Sequence, residues 1–184
     1  DTLDAGAGND TLRSGQDDDL LQGGTGIDTG RYAGKQADYY IEHQIDGSWV
    51  VSDLVGRDGR DLAYDVERLV FDDSFLAIDV DGHAGTTARF LGAVFGPDSV
   101  GNAQYAGIGL SLLDGGMSDD ALMRLALDAR LGPAPSNAAV VDLLWFNLFD
   151  ELPDRNTHQV LEGLITDGSF TQVSLAVFAS LTDF

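Results

Sequence analysis

The chain contains no cysteine, so no disulfide can staple it and no thiol chemistry is open to it. It has one lysine, Lys35, and ten basic residues in all against 31 acidic ones, for a formal charge of −21. A chain so short of cations offers no basic patch for nucleic acid and is repelled by anionic membrane surfaces. No stretch is apolar for long enough to make a transmembrane segment. Glutamate is scarce as well: 27 of the acids are Asp and four are Glu. Asp is a turn former and a compact oxygen donor, so this bias points to metal-binding turns more than to acidic helices. There is no His-Glu-x-x-His, no Gly-x-Ser-x-Gly, no phosphate loop and no dinucleotide fingerprint. The three histidines, His43, His83 and His158, fall on a strand, a hinge and a helix start, and nothing assembles the roles a catalytic site requires. The chain therefore reads as no enzyme. What it does have is 43% apolar residues over 184 positions, enough for a real core and for one or two domains.

The first thirty residues carry a period of nine. Asp recurs at Asp1, Asp10, Asp19 and Asp28, Gly at Gly6, Gly15 and Gly24, and Leu at Leu3, Leu12 and Leu21. Three columns in one register make a Gly/Asp-rich linker a poor reading. The repeat is Gly-Gly-x-Gly-x-Asp-x-apolar-x, with Asp17 standing where a Gly is expected and Gly30 where an apolar residue is expected. Its glycines allow backbone conformations that a β-carbon forbids. A tight turn can then aim its carbonyl oxygens inward while the Asp adds a carboxylate. Calcium takes about six to eight oxygen ligands of that kind. The candidate ligands are Ala5, Gly6, Ala7, Gly8 and Asp10 in the first turn, Ser14, Gly15, Asp17 and Asp19 in the second, and Gly23, Gly24, Gly26 and Asp28 in the third. The short strands between turns give a core too thin to hold alone, so the ion is expected to supply much of the folding energy.

This pattern resembles the calcium-binding nonapeptide of RTX (hemolysin-type) secreted bacterial proteins. The resemblance implies a parallel β-roll in which one Ca2+ lies between turn n and turn n+2. Here that pairs Asp10 with Asp28, and Asp19 with Asp1, the second site being incomplete because its other turn lies before residue 1. It also implies type I secretion, directed by an uncleaved C-terminal signal, to the extracellular space or cell surface. The apolar tail 177–184, with its one late acid, fits such a signal and fits a helix end equally well. A chain that opens in mid-repeat is expected to be a C-terminal fragment of a longer protein.

Residues 32–82 read as a β-rich cap over residues 1–31. Strands are expected at 39–43 and 49–52 around the Asp46-Gly47 turn, then a turn at 56–59, a strand at 66–71 that alternates apolar and polar, and a last strand at 75–78. A segment of this kind often follows RTX repeats. Tyr32, Tyr39, Tyr40, Trp49 and Phe71 are the candidates to cover the last coil, or else to form an aromatic sugar-binding face. Asp79-Val-Asp-Gly has part of an EF-hand loop, but Phe90 stands where that loop needs its bidentate Glu, so it reads as a hinge.

Residues 83–184 have a helical period. Helices are expected over 86–95, over 100–113, after the N-cap Ser118, from an Asn137 cap to residue 149, near 157–165, and over 171–181. The order Val94-Phe95, Pro97-Asp98, Leu113-Asp114-Gly115 and Ser118 returns as Leu148-Phe149, Pro153-Asp154, Thr166-Asp167-Gly168 and Thr171. That spacing, about fifty-three to fifty-six residues, marks a duplicated helical unit. The pattern resembles the DUF4214 domain, a helical module found in bacterial surface and RTX proteins. The expected whole is an α+β chain of two parts, a short calcium-bound parallel β-roll with a β-rich cap followed by an all-helical bundle. Its expected role is calcium-triggered folding of a secreted protein. The alternatives are an adhesion module holding an extracellular polysaccharide or surface protein through the helices, and an accessory domain of an extracellular hydrolase. The oligomeric state stays open.

Overall fold

Nine short strands come first: β1 (Thr2–Asp4), β2 (Thr11–Leu12), β3 (Leu20–Gln22), β4 (Thr29–Arg31), β5 (Tyr39–His43), β6 (Trp49–Asp53), β7 (Arg60–Tyr64), β8 (Arg68–Val70) and β9 (Phe75–Ala77). In this computed structural model, which describes residues 1–182, they form two sheets. One has the order β1-β3-β7-β6-β5 and the other β2-β4-β8-β9. Strands two repeats apart pair in parallel, Thr2 opposite Leu20 and Thr11 opposite Thr29, so alternate coils stack and successive ones fall in opposite sheets. The chain divides into two compact units, Asp1–Val80 and Asp81–Phe184.

The nine-residue period sets this topology. Apolar residues of the strands face inward, and Leu12, Leu21, Ala63 and Leu69 from the two sheets share one buried cluster with Tyr32, Tyr39 and Phe71. Gly30 departs from the apolar column for a packing reason: a Cβ there would lie 3.3 Å from Leu69 and 3.4 Å from the Tyr32 ring, which already fill the space. Tyr32, Tyr39 and Phe71 pack ring against ring, with centroids 4.9–5.5 Å apart. Trp49 is half-buried and stacks on His43. Tyr40 points to solvent, on the outer side of the strand alternation.

Residues 32–80 do not simply lie over an end. The hairpin β5–β6 returns the chain so that β7 continues the first ladder in parallel, Leu20 opposite Leu62, and β8 continues the second, Thr29 opposite Arg68. The antiparallel strands β6 and β9 then close those ladders. Strand β7 was not expected from the sequence, where 56–59 reads as a plain turn. The strand expected at 66–71 shortens to β8, because Asp65 bends the chain in the left-handed conformation (φ 50°) and Val66 and Glu67 lie outside the strand.

The second unit is helical among the described residues: α1 (His83–Phe95), α2 (Ala103–Asp114), α3 (Asp119–Leu131), α4 (Asn137–Phe149), α5 (Arg155–Thr166) and α6 (Gln172–Ser180). Its starts are capped by side chains: Asn102, Ser118, Ser136, Asp154 and Thr171 each accept from backbone N–H groups of the first turn. The cap of α4 is Ser136, not the expected Asn137, which instead accepts from the Gln172 side chain. Helix α2 starts at residue 103 because Pro97–Ser99 forms a separate 3-10 turn. Both α2 and α5 stop in the same way, at Gly116 (φ 89°) and Gly168 (φ 83°), whose N–H groups bond back to Leu113 and Ile165. Leu113, Met123, Leu127, Val140, Val141 and Ala176 lie at the centre of a continuous apolar core. The expected export tail ends on residues 183 and 184, which lie outside the described residues.

Candidate metal centre

Each repeat aspartate stands immediately before a strand, at the end of a turn whose glycines have positive φ: 90° at Gly6, 124° at Gly8, 90° at Gly15, 96° at Gly24 and 137° at Gly26. Two of these positions admit no other residue. A Cβ on Gly24 would lie 2.0 Å from the Gly6 carbonyl oxygen, and one on Gly26 would lie 2.0 Å from that of Gly8. The first turn therefore stacks its carbonyls directly on the backbone of the third. A bridge between Ala7 and Thr25 and hydrogen bonds in both directions, Thr25 N–H to Gly6 O and Gly8 N–H to Thr25 O, hold the two in register. Ala5 joins from the strand end, its N–H on Gln22 O, and Gly23 donates to Tyr64 O.

The register aligns the carboxylates in two columns. In the first, the Asp10 N–H donates to Asp28 Oδ1 at 2.7 Å, and the Asp28 N–H donates to Glu67 Oε2 at 2.7 Å. In the second, the Asp1 nitrogen lies 2.5 Å from Asp19 Oδ1, and the Asp19 N–H donates to Asp61 Oδ1 at 3.0 Å. Asp10 and Asp28 thus come together, as do Asp1 and Asp19. The columns continue through Asp61 and Glu67, which the reading of the sequence missed. A signal for Asp61 was present: Gly56-Arg-Asp-Gly59-Arg-Asp61-Leu-Ala63-Tyr keeps the spacing Gly-x-Asp-x-apolar of the repeats. For Glu67 only an acid two places before Leu69 marks the position.

Three of these carboxylates are incompletely satisfied. Asp10 Oδ2, Asp19 Oδ2 and Asp28 Oδ2 are each buried with no hydrogen-bond partner. Asp28 is fully buried and the Asp19 side chain is 1% exposed. A buried anionic oxygen with no donor is strongly destabilising unless a cation or a proton meets it. That the same oxygen is left open at three consecutive repeats marks a property of the repeat, and divalent calcium fits the donor chemistry. Among the described residues no group of three or more His, Cys, Asp or Glu side chains is placed to hold a metal. An ion here must therefore draw on backbone oxygens as well as carboxylates. Asp17 takes φ 77°, the conformation its column reserves for Gly, and so keeps the turn while adding strain. Burial pushes the Asp61 carboxyl up to about 6, against the opposing pull of the Ser14 hydroxyl and the Asp19 N–H, and it raises that of Glu67 too.

The second turn meets its partner through a loop built on Asp53. That side chain accepts from the N–H groups of Val55, Arg57 and Asp58. Burial works against its charge, but those bonds outweigh it and hold the Asp53 carboxyl well below the ordinary range. Asp58 in turn accepts from Tyr39 Oη at 2.5 Å and from the Ala33 N–H at 2.9 Å. Of the three histidines, His43 ends β5 and stacks on Trp49, while His83 pairs with Asp114 at 2.7 Å and His158 lies 3.3 Å from Asp142 within the helical unit.

A family model for the RTX calcium-binding nonapeptide repeat, in four copies, matches residues 1–29. No curated protein matches the chain. The repeats are of the RTX type, and calcium is the ion they bind.

Proposed function

We propose that residues 1–80 form a short parallel β-roll that calcium closes, and that calcium-triggered folding is the role of this unit in a secreted bacterial protein exported by type I secretion. The observation that carries the reading is the repeated open oxygen: Asp10, Asp19 and Asp28 each bury one carboxylate oxygen for which the protein supplies no donor. With 31 acids against ten bases, the chain repels itself until cations neutralise it. Low cytoplasmic calcium would keep the turns open during export. Extracellular modules of this ligand type bind calcium at roughly 10⁻⁴–10⁻³ M, and folding is then linked to binding.

The helical unit is proposed as a companion module without a reaction of its own. In each helix trio, α1–α3 and α4–α6, a Pro-Asp pair precedes the middle helix and a positive-φ glycine ends it, which favours the duplicated, DUF4214-like reading. Titration with calcium, followed by circular dichroism, tests the main proposal. A rise in β signal over the submillimolar to millimolar range is expected; a spectrum that calcium leaves unchanged refutes it.

A further inference from the structure

We propose a second divalent-cation site, between the turn 14–19 and the turn 56–61, held by Asp19 and by Asp61, a carboxylate that lies outside the nonapeptide match. The proposal rests on the calcium reading above and extends it to a segment 42 residues further along the chain.

Four features of the pair Asp10/Asp28 recur at Asp19/Asp61. The backbone N–H of the earlier residue donates to one oxygen of the later carboxylate, at 2.7 Å in the first pair and 3.0 Å in the second. The carbonyl of the earlier residue accepts from the strand residue after the later one, Thr29 N–H to Asp10 O and Leu62 N–H to Asp19 O, both at 2.9 Å. A carbonyl of the earlier turn lies against a positive-φ glycine of the later one: Gly8 O is 2.0 Å from a Cβ placed on Gly26, and Asp17 O is 2.1 Å from one placed on Gly59. Finally, the earlier aspartate keeps a buried oxygen without a partner, Asp10 Oδ2 in one pair and Asp19 Oδ2 in the other. One more link is common to both pairs: the Ile27 N–H donates to Asn9 Oδ1 at 3.0 Å in the first, and the Arg60 N–H to Asp18 Oδ1 at 2.9 Å in the second.

The pairs differ at two points: Asp19 Oδ1 lies 2.5 Å from the Asp1 nitrogen, with no matching ion pair at Asp10 among the described residues, and the later carboxylates carry different partners. Asp28 Oδ2 has no partner, whereas Asp61 Oδ2 accepts from the Ser14 hydroxyl at 2.6 Å. Ala5, which has no hydroxyl, stands at the matching position of the first turn. A hydroxyl proton can rotate away and leave both oxygens as acceptors toward a cation, but that exchange costs a hydrogen bond. The second site is therefore the weaker of the two, and Ser14→Ala should tighten it several-fold. The sequence distance also has a consequence. An ion between Asp19 and Asp61 joins the repeats to β7, so it fixes the hairpin β5–β6 and the strands beyond to the repeats.

The test counts bound calcium per chain by equilibrium dialysis on the whole chain, for wild type, Asp61→Asn and Asp28→Asn. Asp61→Asn keeps an oxygen to accept from the Asp19 N–H and removes the charge. It is expected to lose one calcium per chain, the weaker one, while the tighter site keeps its affinity. Equal stoichiometry and affinities in wild type and Asp61→Asn overturn the proposal. A wild type that binds no calcium overturns the underlying calcium reading instead. A measurement on the wild type alone guards against a variant that does not fold. Manganese added at low occupancy should broaden the amide resonances of Asp19, Gly59 and Asp61 together with those of Asp10 and Asp28. Broadening restricted to Asp10, Asp28 and their neighbours would sink the second site.

Discussion

The two units solve the same problem of holding a chain together with opposite means. The helical unit satisfies itself. Leu113, Met123, Leu127, Val140 and Val141 are almost completely buried against one another, and five of its six helix starts carry a side-chain cap. The strand unit has a narrower core and buries Asp19, Asp28, Asp58 and Asp61 within it. Its most regular positions are also its least satisfied, since the open carboxylate oxygens fall on the period of nine, with Tyr32 Oη as the further buried atom left open among the described residues of the unit. Among the described residues the helical unit buries only Thr87 Oγ1 and Arg89 Nε in this way, and neither belongs to a repeated column. The contrast teaches that regularity in this chain has two sources. In the helices it is the period of the backbone; in the strands it is the period at which carboxylate oxygens are left open.

Removal of calcium breaks the comparison most sharply. A chelator should abolish the β signal of the strand unit and leave the helical signal in place, so that one of two thermal transitions disappears. Each site filled at a hundred times its dissociation constant adds about 2.7 kcal/mol, a large part of the stability of a small domain. Differential scanning calorimetry with and without chelator checks this, and loss of both transitions together would contradict it. Next in size is Leu127→Ala, 1% exposed in the helical core. It should cost about 2.7–5 kcal/mol, lowering the helical transition equally with and without calcium. A smaller effect is expected for Gly15→Ala, where φ is 90° and an added Cβ meets no atom within 4 Å. The left-handed backbone alone costs roughly 1–2 kcal/mol, and the strained turn should also weaken calcium binding. That variant should shift the calcium midpoint in circular dichroism and leave the helical melt untouched.

The same contrast explains what could be read from the residues alone. Helix positions were legible because caps and apolar stripes are local: Ser118, Asp154 and Thr171 each act within their own first turn. The one cap misplaced, Asn137 for Ser136, is an error of a single residue between two good capping side chains. The repeat was legible because its spacing is regular. Its continuation was not, since 31 residues of hairpin and loop separate Asp28 from Arg60, and 56–64 keeps only part of the pattern. An arginine at Arg57 and a small Ala63 in the apolar column hide it, although the backbone is indifferent to both. Glu67 was hidden more deeply, because a longer acid does in the structure what an Asp does in the repeats. Parallel pairing across 42 residues is a tertiary choice that no local preference announces.

The smallest effect sharpens the comparison from the helical side. Ser136 accepts from the Ala139 N–H at 3.1 Å and satisfies one of the open donors at the start of α4. Ser136→Ala removes that acceptor and should cost about 1 kcal/mol, which lowers the helical transition by roughly 4–8 °C in a unit of this size. The magnitude matters less than its independence from calcium. A cap is a bond between a side chain and its own helix, so its loss should be the same at any calcium concentration. The corresponding loss in the strand unit, Ser14→Ala, removes a hydroxyl that stands on Asp61 and should make calcium bind more tightly. Two serine hydroxyls, deleted in the same way, are then expected to act with opposite sign: one deletion weakens a unit that satisfies itself, and the other frees an oxygen for a unit that waits on its ion. A calcium-dependent effect of Ser136→Ala, measured as a change in its melting shift between chelator and saturating calcium, would show that the helices also depend on the ion.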